Sequence, residues 1–82
     1  DQILTVYPNP TNGKINLSLS DQHGMQAVIS VISSSGQVVF TDKAVIDKTY
    51  QIDLRGMVSG FCFLRIETAG ETITRKIVFN QQ

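Results

Sequence analysis

The chain has 82 residues, of which 41% are hydrophobic and 17% are charged, with seven acidic and seven basic side chains and a formal net charge of zero. A chain of this length forms one domain and buries roughly 60–65% of the surface that its extended form exposes, so its core is thin. Because the charges balance, we expect neither a nucleic-acid partner nor insertion into or binding to an anionic membrane.

Cys62 is the only cysteine, so the chain can form no internal disulfide and no thiolate metal cluster. Its place in an apolar run predicts a small buried side chain, since a reactive thiol needs exposure and a nearby cation. That run, residues 61–64, is far shorter than the ~20 residues of a membrane helix. The abrupt start at Asp1 suggests that residues 1–82 are a single domain excised from a larger secreted protein.

The first part of the chain predicts two strands around a proline-rich turn. Residues 3–7 favour a strand, and Pro8-Asn9-Pro10 ends it because proline lacks a backbone donor. After Asn12-Gly13, residues 15–20 alternate apolar and polar side chains. This alternation predicts a strand with one solvated face.

Three further strands are predicted in the middle of the chain. Residues 27–32 lead through a serine-rich hairpin loop, 33–36, into a returning strand at 37–41, and residues 42–48 are interpreted as a looser connection. Alternation resumes at residues 50–54. Ala27, Ile29 and Val31 are predicted to point inward, and Tyr50, Ile52 and Leu54 share one side of their strand.

The most apolar strand candidate, residues 58–68, is apolar on both faces over its first half. Cys62, Leu64 and Ile66 share one face, and Phe61 and Phe63 share the other. An edge strand with one solvated face does not have this pattern. We therefore place the segment centrally in a sheet, followed by a hairpin partner at residues 71–79.

The register of this closing hairpin follows if Ala69 and Gly70 form the turn. The predicted pairs are Thr68 with Glu71, Glu67 with Thr72, Ile66 with Ile73, Cys62 with Ile77 and Phe61 with Val78. Leu64 then faces Arg75, whose side chain must reach past the rim of the sheet to water. On the other face Phe61, Phe63 and Val78 form an apolar patch with Lys76 at its margin, which needs a covering loop or a partner.

Turn patterns recur about every 10–12 residues, with strands of about five to nine residues between them, which predicts an all-β antiparallel sandwich or small barrel. The chain carries no catalytic pattern. His23 is the only histidine, and a metal site built on it and Asp21 lacks a third ligand, so a solvated turn is favoured. Ser33-Ser34-Ser35 lacks the strained elbow of a serine nucleophile. We therefore expect no catalytic, metal or cofactor site and no enzyme activity.

Three landmarks in order resemble the C-terminal sorting domain of the Por (type IX) secretion system, type A. They cover nearly the whole chain: residues 6–13 with Pro8-Asn9-Pro10 and Gly13, residues 31–39 with Gly36, and residues 52–54 followed by 59–66 with Gly60 and then by 76–79. One departure is Cys62, where the family usually has tyrosine. The missing ring removes about 100 Å² of apolar burial, which Phe40, Phe63 or Phe79 could supply.

The resemblance implies an immunoglobulin-like sandwich of about seven antiparallel strands, with Gly13, Gly36, Gly60, Cys62 and Leu64 as structural positions. It also implies a sorting and export signal, joined to an N-terminal cargo domain and bound by a translocon, a shuttle and a sortase at the outer membrane. Export would place the cargo at the cell surface or outside the cell by way of the periplasm.

Two segments are candidates for recognition by that machinery. Pro8-Asn9-Pro10 is either an exposed epitope or simply a stiff turn, and the stiff turn is favoured. The terminal segment of Arg75, Lys76, Ile77, Val78 and Phe79 lies where the family places its export signal, but a closing strand is also needed by any sandwich.

The alternative function is an immunoglobulin- or fibronectin-like adhesion or carbohydrate-binding module. Such a module needs exposed aromatic side chains on which sugars stack. Tryptophan is absent, and Tyr7 and Tyr50 are expected to be partly buried, which weakens this alternative.

Overall fold

The computed structural model describes residues 4–19, 25–46, 49–56 and 60–79. These residues form seven strands and no helix: β1 (Leu4–Tyr7), β2 (Lys14–Leu19), β3 (Met25–Ser33), β4 (Val38–Ile46), β5 (Tyr50–Asp53), β6 (Phe61–Glu67) and β7 (Thr72–Val78). A three-stranded sheet of order β1-β2-β5 and a four-stranded sheet of order β4-β3-β6-β7 are both antiparallel. The predicted all-β antiparallel sandwich is confirmed. No membrane-spanning helix occurs in the described ranges.

The core lies between the two sheets, and it includes Ala27, Ile29 and Val31, which alternation predicts to point inward. Each of its members is at most 5% exposed, and burial of each large aliphatic side chain contributes about 1.5–3 kcal/mol. The core comprises Leu4, Ile15, Leu17, Ala27, Ile29, Val31, Ile46, Ile52, Leu54, Cys62, Leu64, Ile66 and Ile77.

Strand β6 is central in the larger sheet, between β3 and β7, as predicted. Its alternate residues Cys62, Leu64 and Ile66 are fully buried, whereas Phe61 and Phe63 are half-buried on the outer face. Residues 58 and 59 of the predicted strand lie outside the described ranges. Both faces of β6 are apolar, because its inner face forms part of the core and its outer face is partly covered by side chains of the neighbouring strands.

The predicted register of the β6–β7 hairpin is confirmed over the whole ladder. Cys62 pairs with Ile77, Phe61 with Val78 and Leu64 with Arg75. The Thr68 N–H donates to the Glu71 carbonyl at 2.9 Å, so Ala69 and Gly70 form the turn. Arg75 is exposed at the open edge of the sheet, so water solvates its charge.

The interpretation of residues 42–48 as a loose connection is wrong for the described part of that segment. β4 continues to Ile46 and pairs with β3 as far as Met25. Asp42 lies on the inward face of this edge strand and accepts a hydrogen bond from the Tyr50 hydroxyl of β5. The carboxylate is therefore accommodated in a strand, and this hydrogen bond joins the two sheets along one side.

The Tyr50–Asp42 pair predicts a loss of stability at alkaline pH. Burial, and then the hydrogen bond and negative charge of Asp42, raise the pKa of Tyr50 from 10.0 to about 12. The contribution is complete below pH 10 and is lost as pH rises towards 12, because the unfolded chain ionises first. In urea unfolding, the stability advantage of the wild type over Tyr50→Phe should be constant below pH 10 and shrink above it. Parallel curves would contradict this.

The space left by Cys62 restricts which phenylalanine can compensate for the family's tyrosine. Phe63 lies on the opposite face of β6 and therefore cannot fill it. Phe40 and Phe79 both pack against the core. Phe79 lies two residues after Ile77, which is the partner of Cys62. The Phe79 N–H donates to the Gly60 carbonyl at 2.9 Å. Phe79 is therefore the phenylalanine beside Cys62 on the inner face.

Burial predicts that the Cys62 thiol is inert in the folded domain. The side chain is fully buried, and desolvation raises its pKa to about 11. A disulfide reagent should therefore modify native protein at least about a thousandfold more slowly than protein unfolded in urea, since reaction requires opening of the fold. Comparable rates with and without urea would show that the thiol is accessible.

Candidate recognition surface

The Pro8-Asn9-Pro10 loop lies along the outer edge of β7. The Asn9 side-chain amide donates to the Lys76 carbonyl at 3.1 Å, and its side-chain oxygen accepts from the Val78 N–H at 3.0 Å. One carboxamide thus provides the donor and acceptor that a neighbouring strand would provide. The two candidate recognition segments, far apart in sequence, meet here.

Thr11 continues this contact into the interior. Its N–H donates to the Val78 carbonyl at 2.9 Å, and it forms a parallel bridge with Phe79. Its fully buried hydroxyl donates to the Lys14 carbonyl at 2.6 Å and accepts from the Gly13 N–H at 3.0 Å. We call Asn9, Thr11, Lys76 and Val78 the terminal clasp, because they join the β1–β2 connection to the last strand.

Gly13 makes the turn that follows the clasp. It is buried with φ +135°, and its carbonyl accepts from the Leu54 N–H at 2.7 Å. The stem of Arg55 covers it, and the Arg55 guanidinium binds Asp53 at 2.9 and 2.7 Å. This hydrogen bonding lowers the pKa of Asp53 to about 2. Because the ion pair is exposed, its own contribution to stability is small.

The terminal segment divides into structural and accessible side chains. Ile77 is fully buried, and Phe79 is half-buried against the core, so both stabilise the fold. Arg75, Lys76 and Val78 are exposed and available to a partner. Pro8, Asn9 and Pro10 are exposed as well. Their recognition role stays a prediction, but accessible residues from both segments share one surface.

The other predicted structural positions lie at turns or in the core. Gly36 and Gly60 have φ of +93° and +79°, next to the starts of β4 and β6. Cys62 and Leu64 are fully buried.

The predicted apolar patch lies on the outer face of the four-stranded sheet. The Phe61 and Phe63 rings pack edge to face, with centroids 5.8 Å apart. The Lys76 ammonium lies 4.6 Å from the Phe61 centroid, a cation–π contact. The patch was predicted to need a covering loop or a partner, and Val78 within it is 41% exposed among the described residues.

Sequence reasoning missed Thr11 and two members of the outer face, Ile32 and Val38. A Thr two residues before a Gly is typical of a hydroxyl that bonds local backbone, and this pattern could have identified Thr11. Ile32 and Val38 come next to Phe63 only through the strand order.

The described residues contain no group of three or more His, Cys, Asp or Glu side chains that could hold a metal ion. The predicted solvated turn with His23 and Asp21 lies outside the described residues. Tyr7 is 45% exposed, more than expected, whereas Tyr50 is partly buried as expected. An isolated exposed tyrosine is a poor platform for sugar stacking.

Comparison with known families decides between the two functions considered. A family model described as "Secretion system C-terminal sorting domain" matches residues 5–80. The chain belongs to this family. A comparison with curated proteins found no match.

The sorting domain is the C-terminal sorting signal of cargo in type IX secretion. Its cargo is exported across the outer membrane to the cell surface or released. The adhesion or carbohydrate-binding alternative is not favoured. The type IX machinery recognises the sorting domain, so the accessible surface around the terminal clasp becomes the candidate for that recognition.

Proposed function

We propose that the export machinery recognises the sorting domain at the terminal clasp, where the Pro8-Asn9-Pro10 loop meets the exposed end of β7. The observation that carries this proposal is the pair of hydrogen bonds from the Asn9 carboxamide to Lys76 and Val78. Because both segments are held in one geometry, a partner can contact them together without first ordering either one.

The accessible side chains give this surface its chemistry. Lys76 supplies a cation, Val78 an apolar side chain, and the two prolines a stiff exposed loop. Proteins of the outer membrane, namely a translocon, a shuttle and a sortase, are the partners we infer for it. The cargo is an N-terminal domain on the same polypeptide, and the sorting domain acts as an address with no catalytic activity of its own.

The structure also determines which experiment separates recognition from folding. Deletion of residues 76–82 should abolish export, but it also removes the buried Ile77 and half of the clasp. Loss of export by that deletion would therefore follow from unfolding alone. A point variant at the exposed Asn9 is the sharper test.

The test fuses residues 1–82 to a soluble periplasmic reporter in a strain with the secretion system and measures the fraction of reporter outside the cells. Asn9→Ala should reduce export severalfold, while the free energy of unfolding of the purified domain falls by only about 1 kcal/mol. The matched control is Asn16→Ala, which also removes side-chain hydrogen bonds but lies on the three-stranded sheet. Retention of the unmodified fusion, or equal export of Asn9→Ala and Asn16→Ala, would overturn the proposal.

A further inference from the structure

The outer face of the four-stranded sheet carries an apolar row that crosses β4, β3 and β6 and ends at a lysine on β7. Val38 of β4 pairs with Ile32 of β3, Ile32 pairs with Phe63 of β6, and Phe63 pairs with Lys76 of β7. Two residues along β6 from Phe63, Phe61 pairs with Val78 on the same face. We define the outer apolar face as these side chains: Ile32, Val38, Phe61, Phe63 and Val78.

The outer face of the other sheet differs in chemistry. Asn16 and Gln51 lie there, hydrogen-bonded to each other at 3.3 Å, and the neighbouring Lys14 and Asp53 are exposed charged residues. The described outer surface of the three-stranded sheet is thus polar, whereas that of the four-stranded sheet combines an apolar cluster with charged residues. Exposed apolar clusters on one side of a small domain mark interaction sites.

Cations surround the outer apolar face in excess of carboxylates. Lys76 and Arg65 lie beside Phe63, and Lys43 lies farther along the same face on β4. Glu67 is the one carboxylate on the described part of this face, 3.5 Å from the Arg65 Nε. That Nε is shielded from solvent and has no hydrogen-bond partner among the described residues, since the contact to Glu67 is long for a hydrogen bond.

We propose that the outer apolar face docks a protein of the export machinery whose complementary surface is apolar at its centre and carries carboxylates opposite Lys76 and Arg65. This proposal rests on the proposed function and extends the recognition surface from the clasp across the sheet to Val38. Lys76 and Val78 belong to both, so the two surfaces are continuous. The apolar centre supplies affinity on desolvation, and the charges fix orientation.

The charges argue against two other occupants. A second copy would present the same net positive face, and its only described carboxylate there already neighbours Arg65. For an anionic membrane, each cation near the surface contributes about 1 kcal/mol, too little for stable binding by three cations partly offset by Glu67. A protein with carboxylates is the occupant that complements both the apolar row and its margin.

The decisive variant is Val38→Glu, because Val38 is 55% exposed and lies three strands away from the clasp on β7. Its matched control is Val45→Glu, on the same strand, 59% exposed and opposite Gln26 instead of Ile32. A second pair reverses charge: Lys76→Glu on this face and Lys14→Glu on the polar outer face. All four variants should keep the far-ultraviolet circular dichroism and unfolding midpoint of the wild type nearly unchanged.

In the reporter fusion, Val38→Glu and Lys76→Glu should lower export severalfold, and Val45→Glu and Lys14→Glu should leave it unchanged. If Asn9→Ala impairs export and Val38→Glu does not, the docking face is wrong and the proposed function stands. If the unmodified fusion is retained, the proposed function itself fails. If the domain self-associates in sedimentation velocity and Val38→Glu abolishes this association, the occupant is a second copy. If the domain cosediments with phosphatidylglycerol vesicles, the occupant is a membrane. Either result would overturn the proposal.

Discussion

Replacing Leu64 with alanine is expected to lower the free energy of unfolding by about 2–5 kcal/mol, through lost apolar transfer energy and the cavity left behind. Leu64 is fully buried on the central strand, where it pairs with Val31 on one side and Arg75 on the other. Domains of this size have total stabilities of only about 4–12 kcal/mol. The variant should therefore lose a large part of its stability, measured as a lower urea midpoint by circular dichroism.

The control for Leu64→Ala is Thr74→Ala on β7 of the same sheet. Thr74 is exposed, and surface substitutions of this kind change stability by about 0.5 kcal/mol or less. The reporter should be retained when fused to Leu64→Ala at temperatures where this variant is unfolded, since the clasp requires the folded sandwich. Equal midpoints for Leu64→Ala and Thr74→Ala would contradict the central placement of β6.

Replacing Gly13 with alanine should lower the free energy of unfolding by about 1–3 kcal/mol, because residue 13 has a φ that residues with a side chain rarely adopt. Its φ is +135°, and an added Cβ would overlap the Arg55 side chain. The overlap is with the Cγ and Cδ atoms of Arg55, which lie near its backbone, so the Arg55 side chain must change conformation and lose its two hydrogen bonds to Asp53. Stability would again be measured by urea unfolding.

Two further variants separate the two causes at Gly13. Gly70→Ala serves as a control, because an added Cβ there meets nothing within 4 Å, and its effect should be small. In the Gly13→Ala, Arg55→Ala double variant the overlap is removed and the backbone strain remains, so stability should recover only in part relative to Arg55→Ala alone. A Gly13→Ala protein as stable as Gly70→Ala would show that the backbone turn tolerates a side chain.

The sequence predicts this fold well where apolar periodicity and turn chemistry agree. Alternation at Ile15 and Leu17, and again at Ile52 and Leu54, places each pair in the core, where all four are buried. The register of the closing hairpin could be predicted residue by residue because a two-residue turn determines every pair, and this register places Ile66 opposite Ile73 and Cys62 opposite Ile77.

The same reasoning fails where a residue's environment comes from a distant strand. Asp42 interrupts an apolar pattern, and the hydrogen bond from the Tyr50 hydroxyl of the other sheet, which stabilises this inward carboxylate in β4, depends on the packing of the two sheets. The outer apolar face was predicted only for the β6–β7 hairpin, because its extension to Ile32 and Val38 depends on the order of strands in the sheet. Strand order is a property of the folded chain and has no local signature in the sequence.

The terminal clasp has a consequence for the timing of biosynthesis. Asn9 and Val78 are 69 positions apart, and β7, which closes the larger sheet, is the last of the seven strands to leave the ribosome. Until it emerges, Asn9 has no strand to bond, and the inner side of β6 lacks Ile77. On the function proposed above, a cargo whose translation stops before β7 therefore lacks the surface that the export machinery recognises.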